Sequence, residues 1–211
     1  MTPPATPSSE LPLARPPAGA VAWPDAARQA AFERWLAPLV DRFGLAPDTL
    51  RAASADASFR RYLRIDSALH GTLVVMDAPP PQEDVRPFVE IAGRIAAAGL
   101  HGPRVHAADV EHGFLLLEDL GQRLFIEALR DASPAEADAL MRAAIGALVQ
   151  WQRGVSHNGL PSYAGPQLQR GLNLFPEWCV EREHGVAWSD DERNRWQRVC
   201  TALVAGMDAQ P

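Results

Sequence analysis

Two short apolar runs constrain the fold of this chain more than any other feature. Thr72–Met76 (TLVVM) and Gly113–Leu117 (GFLLL) are too short for buried helices, and such runs are typical of strands covered on both faces. Arg60–Asp66 (RRYLRID) alternates charged and apolar residues and predicts an edge or half-exposed strand, which turns into the first run at His70–Gly71. Arg104–Ala108 is predicted as a fourth strand.

Helical periodicity surrounds these strands. An apolar face over residues 31–43 predicts a helix that ends at Gly44, and Pro38 within it predicts a kink or a break. A second helix is predicted from Pro87 to Ala98, with Gly99 as its stop. The order helix, β, β, helix, β, β predicts an α+β fold in which a helix packs across a small mixed or antiparallel sheet.

The pattern becomes entirely helical beyond about residue 120. Capping boxes at 133–136 and 189–192 each open a helix. We therefore predict a disordered N-terminal arm over 1–22, an α+β lobe over 23–118 and a helical part over 119–211.

Composition narrows the possible functions. The chain has 211 residues, a formal net charge of −6 and no lysine, so all of its 20 basic residues are arginines. An acidic balance argues against a nucleic-acid partner, and no apolar stretch is long enough to predict a membrane span. Cys179 and Cys200 have no Cys or His neighbour at metal-binding spacing, so they are predicted to be buried free thiols, which fits a reducing cytoplasm.

The segment over residues 52–66 is a candidate phosphate site. Small residues and Ser58 lead into a strand that carries Arg60, Arg61 and Arg64. Backbone N–H groups and hydroxyls of a tight loop can cradle phosphates, and guanidinium groups can pair with them. The alternative is an ordinary turn before a strand with solvated arginines, and without a Gly-rich consensus the loop alone favours it.

Four further side chains allow two interpretations each. Glu118 and Asp119 follow a buried strand, where they would either mark a hinge that binds an adenine edge through its backbone or cap the strand end. Glu90 would either orient a cation over phosphates or lie on a solvated helix surface. Trp178 would either stack on a sugar or belong to the core.

The order of these segments resembles the N-lobe of the aminoglycoside-phosphotransferase-type kinases. The matching runs are ASFRRYLRI, LVVMDAPP, EDVRPFVEIAGRIAAAGLHGPRV and GFLLLEDLG, with LFPEW further on. Within that family the chain is most similar to bacterial sugar kinases of cell-wall recycling, which phosphorylate the anomeric hydroxyl of N-acetylmuramate and N-acetylglucosamine. The resemblance runs from about Phe32 to Pro211 and implies a protein-kinase-like fold, ATP and Mg²⁺ as cofactors of the complete enzyme, and an amino-sugar substrate.

The resemblance also implies a nucleotide site. Its residues are Ser58, Phe59, Arg60 and Arg61 in the loop and second strand, Val74 and Met76 in the third strand, Glu90 in the following helix, and Glu118, Asp119 and Leu120 in the hinge. Met76 stands where kinases usually place a phosphate-pairing lysine or arginine. One of Arg60, Arg61 and Arg64 is left to substitute for that cation.

The family's catalytic loop has an His-x-Asp core followed by an Asn, and a later Asp holds Mg²⁺. The chain contains no His-x-Asp, so we expect neither a catalytic residue nor a Mg²⁺ ligand in it. This predicts an N-terminal fragment of the kinase. The alternative is a genuine product that acts as a non-catalytic nucleotide-binding or interaction module.

Overall fold

The two apolar runs lie side by side in a five-stranded antiparallel sheet. The computed structural model describes residues 21–55, 58–161, 163 and 165–209, and it divides into compact units over Met1–Val155 and Ser156–Pro211. The strands of the first unit are β1 (Leu45–Ala55), β2 (Arg61–Ser67), β3 (Gly71–Asp77), β4 (Val105–Asp109) and β5 (Phe114–Glu118). Their order in the sheet is β1-β2-β3-β5-β4. Both runs are therefore flanked by strands on each side, as continuous apolar sequence requires.

Helices cover both faces of this sheet. The first unit contains α1 (Ala26–Phe43), α2 (Arg86–Ala97), α3 (Phe125–Asp131) and α4 (Pro134–Gly154). One face packs against α1 and the other against the start of α2, because alternate strand residues point to opposite sides. The buried residues of the α1 face are Phe32, Leu36, Leu39, Phe43, Leu45, Leu63, Ile65, Leu73, Val75, Phe114 and Leu116, and those of the α2 face are Met76, Ala78, Val85, Leu115 and Leu117.

The α+β class and the strands predicted from the apolar runs are confirmed, and three local predictions are wrong. Residues 45–55 form β1, although residues 52–55 are predicted as loop, so β2 is half-buried but is not an edge strand. Helix α1 continues through Pro38, whose ring lies on the exposed side, so of the predicted kink or break the break is wrong and the kink stays a prediction. Cys179 is exposed because residues 177–179 all face solvent, whereas Cys200 is buried; both are free thiols.

The second unit is helical, as predicted. It contains α5 (Pro166–Leu174), a π-helix (Phe175–Glu183) and α6 (Asp190–Asp208). The predicted capping boxes at Ser133 and Ser189 are both formed. No helix in the described residues is long and apolar enough to cross a membrane. The predicted arm over 1–22 lies outside the described residues up to residue 20, and the lobe boundary at 118/119 stays a prediction.

A buried carboxylate fastens α1 to the end of the sheet. Asp77, the last residue of β3, is only 2% exposed and accepts hydrogen bonds from Arg28 Nε at 2.9 Å and from Arg61 Nε at 2.6 Å. The Arg28 guanidinium also lies 3.9 Å from the centre of the Phe114 ring, and that of Arg61 lies 4.4 Å from the Trp23 ring. Two cations from different elements therefore share one carboxylate among aromatic rings.

We expect Asp77→Asn to lower the free energy of unfolding by about 3 kcal/mol, because it leaves two partly buried guanidinium groups without their counter-charge. Urea denaturation measures this loss. The control is Asp41→Asn on the exposed side of α1, which should change stability by less than about 0.5 kcal/mol. Equal stability of the Asp77 and Asp41 variants would contradict the argument.

Candidate functional site

A cleft of about 540 Å³ opens on the α2 face of the sheet, in the first unit. Tyr62 and Arg64 of β2, Val74 of β3 and Leu117 of β5 form its floor, and Phe88 of α2 contributes a wall. The opposite side consists of Glu118, Asp119, Leu120, Gly121, Gln122, Leu124 and Glu127. The cleft thus combines apolar walls with a polar backbone segment, the usual composition of a small-molecule site.

A bidentate ion pair holds that backbone segment against the sheet. Arg64 Nε donates to Asp119 Oδ2 at 2.5 Å, and another nitrogen of the same guanidinium donates to Asp119 Oδ1 at 3.0 Å. Thr72 Oγ1 donates to Asp119 Oδ2 at 2.7 Å, and the Gly121 N–H donates to Oδ1 at 2.9 Å. The hydrogen bonds from Arg64, with those from Thr72 and Gly121, lower the pKa of Asp119 to about 2.

The neighbouring carboxylate, that of Glu118, contacts residues that precede β4. His101 Nε2 lies 3.0 Å from Glu118 Oε1, and the Arg104 N–H donates to Glu118 Oε2 at 3.3 Å. The contact with His101 lowers the pKa of Glu118. The Glu118 N–H donates to the Arg104 carbonyl oxygen at 2.9 Å. Both acidic side chains are therefore occupied by protein groups.

Leu120 lines the cleft, and within the described part of the chain its backbone polar groups have no protein partner. Among the described residues, no hydrogen bond joins the N–H or C=O of Leu120 to another protein group. Its neighbour Asp119 is fixed by Arg64 and Thr72, so the free backbone groups are held in place by side chains on either side of the segment. An unpaired backbone donor and acceptor in a residue that lines an apolar cleft are the kind of groups that can bind the hydrogen-bonding edge of a planar heterocycle.

Comparison with known proteins places this chain in a family. Residues 49–211 match the phosphotransferase enzyme family. This chain belongs to the phosphotransferase enzyme family. It is 47% identical over 165 residues to an N-acetylmuramate/N-acetylglucosamine kinase of Pseudomonas aeruginosa. The aligned residues make up 78% of the chain and 48% of the relative.

Two further relatives carry the same name. The kinase of Pseudomonas putida is 47% identical over 163 residues, covering 77% of the chain and 47% of the relative. That of Neisseria meningitidis serogroup B is 36% identical over 163 residues, covering 77% of the chain and 48% of the relative. The chain spans about half the length of the curated relatives it matches. The predicted resemblance to this phosphotransferase family is confirmed.

The cleft brings together four of the residues predicted for the nucleotide site. Val74, Glu118, Asp119 and Leu120 line it. Met76 does not, because its side chain is fully buried between Val85 and Leu115 on the α2 face. The third strand therefore offers the cleft no cation.

Glu90 is also outside the cleft lining. It lies on α2 with its side chain about half exposed and pairs with Arg94 one helical turn away, at 2.6 Å. The Glu90 carboxylate, which the family resemblance implies as the partner of a third-strand lysine, is paired with Arg94 instead. The Met76 and Glu90 positions thus depart from the general kinase pattern together.

The predicted phosphate loop divides between the two sheet faces. Ser58, Phe59 and Arg60 lie just before β2, and Phe59 is 68% exposed. Arg61 turns to the α1 face, where it binds Asp77. Ala57, which the resemblance also places in this loop, lies outside the described residues.

Trp178 lies in the second unit, on the π-helix. Its indole is 55% exposed, and the Arg182 guanidinium lies 4.1 Å from the ring centre. The interpretation as core residue is wrong, because the ring is open to solvent. Its predicted contact with a sugar stays a prediction.

Sequence reasoning missed Tyr62, Phe88 and Gly121 as cleft residues. The alternation of β2 carries a usable signal for Tyr62, because Leu63 and Ile65 face the core and so direct Tyr62 and Arg64 to the other side. Gly121 directly follows the predicted Leu120 in the GFLLLEDLG run. Phe88 comes from α2, distant in sequence from the other cleft residues, and no local pattern marks it.

We expect the Arg64–Asp119 pair to contribute to the free energy of unfolding of the first unit at neutral pH, and this contribution to be lost at acid pH. A carboxyl with a pKa lowered to about 2 in the folded chain contributes stability above its unfolded pKa near 4, and the contribution disappears as pH falls from about 4 to 2. The component should amount to about 1 to 2 kcal/mol. Asp119→Asn should flatten the pH dependence of urea unfolding in this window.

The matched control is Asp41→Asn, which should follow the unsubstituted chain at every pH. If Asp119→Asn unfolds with the same pH dependence as the unsubstituted chain, the ion pair does not carry this stability.

Proposed function

We propose that this chain forms the nucleotide-binding part of an ATP-dependent kinase that phosphorylates the anomeric hydroxyl of N-acetylmuramate and N-acetylglucosamine. The names of the relatives support the substrate, and the free backbone of Leu120 beside an apolar cleft supports the nucleotide. We further propose that the product belongs to peptidoglycan recycling and that the reaction takes place in the cytoplasm, where ATP is available.

The cleft suits an adenine ring in three respects. Val74, Leu117 and Phe88 offer apolar surface to the ring faces. The Leu120 N–H and a neighbouring carbonyl offer a donor and an acceptor to its edge. The Arg64–Asp119 pair holds these groups in place before the nucleotide arrives, which lowers the entropic cost of binding.

The Mg²⁺ that the family implies does not fit the residues described. No group of three or more His, Cys, Asp or Glu side chains in the described part of the chain can hold a metal ion. At the cleft, Asp119 is bound by Arg64 and Glu118 by His101. We therefore assign no Mg²⁺ ligand to these residues and derive no step through the ion.

The sugar is proposed to meet Trp178. A half-exposed indole offers a flat apolar face to the C–H groups of a pyranose ring, and the cation of Arg182 covers one face of it. Transfer to the anomeric oxygen would form a bond from that oxygen to the γ-phosphorus, break the bond from the γ-phosphorus to the oxygen that bridges to the β-phosphorus, and release ADP and the hydroxyl proton.

We expect Leu120→Pro to weaken ATP and adenosine binding by about tenfold each, because proline has no N–H to donate to the base. Leu120→Ala keeps the backbone N–H and should bind both ligands as the unsubstituted chain does. Isothermal titration calorimetry measures the affinities, and thermal melting verifies that each variant is folded. A folded proline variant that binds like the alanine variant would rule out a donor at Leu120.

The substrate proposal is tested on the full-length gene product. It should transfer phosphate from ATP to N-acetylmuramate and N-acetylglucosamine, with an anomeric phosphate signal in ³¹P NMR. The matched control is the 1-O-methyl glycoside of N-acetylglucosamine, which lacks the anomeric hydroxyl and should not react. Phosphorylation of the methyl glycoside at a comparable rate, or of none of these sugars, would exclude an anomeric kinase.

A further inference from the structure

The second strand and the residue before it carry three arginines, and each faces a carboxylate at a different place. Arg61 binds Asp77 on the α1 face, Arg64 binds Asp119 at the cleft, and Arg60 lies near Glu83. We propose that Arg60 supplies the phosphate-binding cation that Met76 leaves out of the third strand, and that Glu83 positions it. This inference rests on the proposed nucleotide site.

Two of the three arginines are committed elsewhere. The Arg64 guanidinium donates twice to Asp119, which is only 5% exposed, so moving it to a phosphate would leave a buried carboxylate unpaired. Arg61 points to the opposite face of the sheet and shares the equally buried Asp77 with Arg28. Arg60 differs from the other two, because it lies near Glu83 and is paired with neither Asp77 nor Asp119.

The position of Arg60 follows from strand geometry. Tyr62 and Arg64 both line the cleft, and side chains two residues apart lie on the same face of an extended strand. Arg60 immediately precedes β2 and is not itself a lining residue of the cleft, but extending this alternation by one step places it next in the row beyond Tyr62. From Arg64 at the hinge to Arg60 the backbone rises by about 13 Å, which matches the reach of an extended nucleoside triphosphate from its base to its terminal phosphates.

Glu83 holds the loop that carries Arg60. Its Oε1 accepts a hydrogen bond from the Phe59 N–H at 3.2 Å, and its Oε2 lies 3.6 Å from Arg60 Nε. Glu83 itself is 16% exposed, and its N–H donates to the Pro79 carbonyl oxygen at 3.1 Å. One carboxylate thus fixes both the backbone and the guanidinium of the loop.

Ser58 adds a second constraint on the same side chain. Its Oγ accepts from the Arg60 backbone N–H at 3.2 Å and from Arg60 Nε at 3.3 Å. A guanidinium can bind a carboxylate through one edge and phosphate oxygens through another, with fixed geometry at both. Arg60 with Glu83 would therefore provide the cation and the orienting carboxylate that a lysine and a helix glutamate provide in other kinases.

The test compares ATP with adenosine, which shares the base and ribose but has no phosphate. Affinities are measured for the chain in EDTA, so that no added metal ion bridges the phosphates. The unsubstituted chain should prefer ATP by about tenfold or more, and Arg60→Met should remove most of this preference while leaving adenosine affinity unchanged. Arg60→Lys should recover part of it.

Arg34→Met, on the exposed side of α1, is the matched control and should keep the full preference for ATP. If Arg60→Met is folded and retains the preference, the assignment of Arg60 is wrong even though the nucleotide site stands. If the unsubstituted chain binds neither ATP nor adenosine, the proposed function itself fails, and the Arg60 assignment fails with it.

The positioning by Glu83 has a separate test. Glu83→Gln should lower the ATP preference in the unsubstituted chain and have no effect in the Arg60→Met chain, because Glu83 acts through Arg60. If the carboxylate only repels phosphate, Glu83→Gln would raise the preference in both chains, and that result would overturn its role.

Discussion

The structure of the first unit depends on the way β2 distributes its cations between the two faces of the sheet. Arg61 and Arg64 differ by an odd number of positions, so the strand must direct them to opposite sides. One neutralises Asp77 beneath α1, and the other neutralises Asp119 at the cleft. A shift of β2 by one residue would exchange these faces, take the β2 arginine away from each carboxylate and place Leu63 and Ile65 in the cleft. Among the described residues, Asp77 would keep only Arg28 as its cation. Of the described partners of Asp119, only the neutral donors Thr72 and Gly121 would remain. The register of β2, the attachment of α1 and the position of the segment after β5 are therefore set by the same strand.

The absence of lysine makes this arrangement more rigid. A guanidinium is a planar fork that binds both oxygens of a carboxylate, whereas an ammonium group is a point charge on a flexible stem. Arg64 uses that geometry on Asp119, and the same carboxylate also receives the Gly121 N–H, so the cation fixes a backbone turn as well as a charge. Replacement by lysine would keep the charge and lose the second contact.

The predictable part of the fold is the part whose signal is local. The strands at Thr72–Met76 and Gly113–Leu117 follow from their apolar runs, and both capping boxes follow from four consecutive residues. Strand β1 could not be predicted, because Leu45 is its only fully buried hydrophobic residue among those described and its pairing with β2 is interrupted by irregularities. The π-helix could not be predicted either. Helical periodicity in sequence assumes 3.6 residues per turn, and a π-helix with its wider turns does not follow that period.

The same distinction applies to the candidate site. The segment Glu118–Leu120 is visible in sequence as a short polar join after an apolar strand, but the ion pair that holds it links residues 55 positions apart. Arg60, Arg61 and Arg64 were indistinguishable candidates until the strand faces and their partners were known.

The departures from the kinase pattern at Met76 and Glu90 depend on each other. A lysine at position 76 would lie among Val85, Leu115 and Leu117 without exposure, where an unpaired ammonium group would be strongly unfavourable. The carboxylate that normally compensates it would be Glu90, which here pairs with Arg94 on its own helix. With Glu90 engaged, an apolar side chain at 76 is the stable choice, and α2 packs on it. The negative charge of the proposed triphosphate would then have to be met from outside the third strand, and Arg60 precedes β2 at the same end of the sheet where β3 ends.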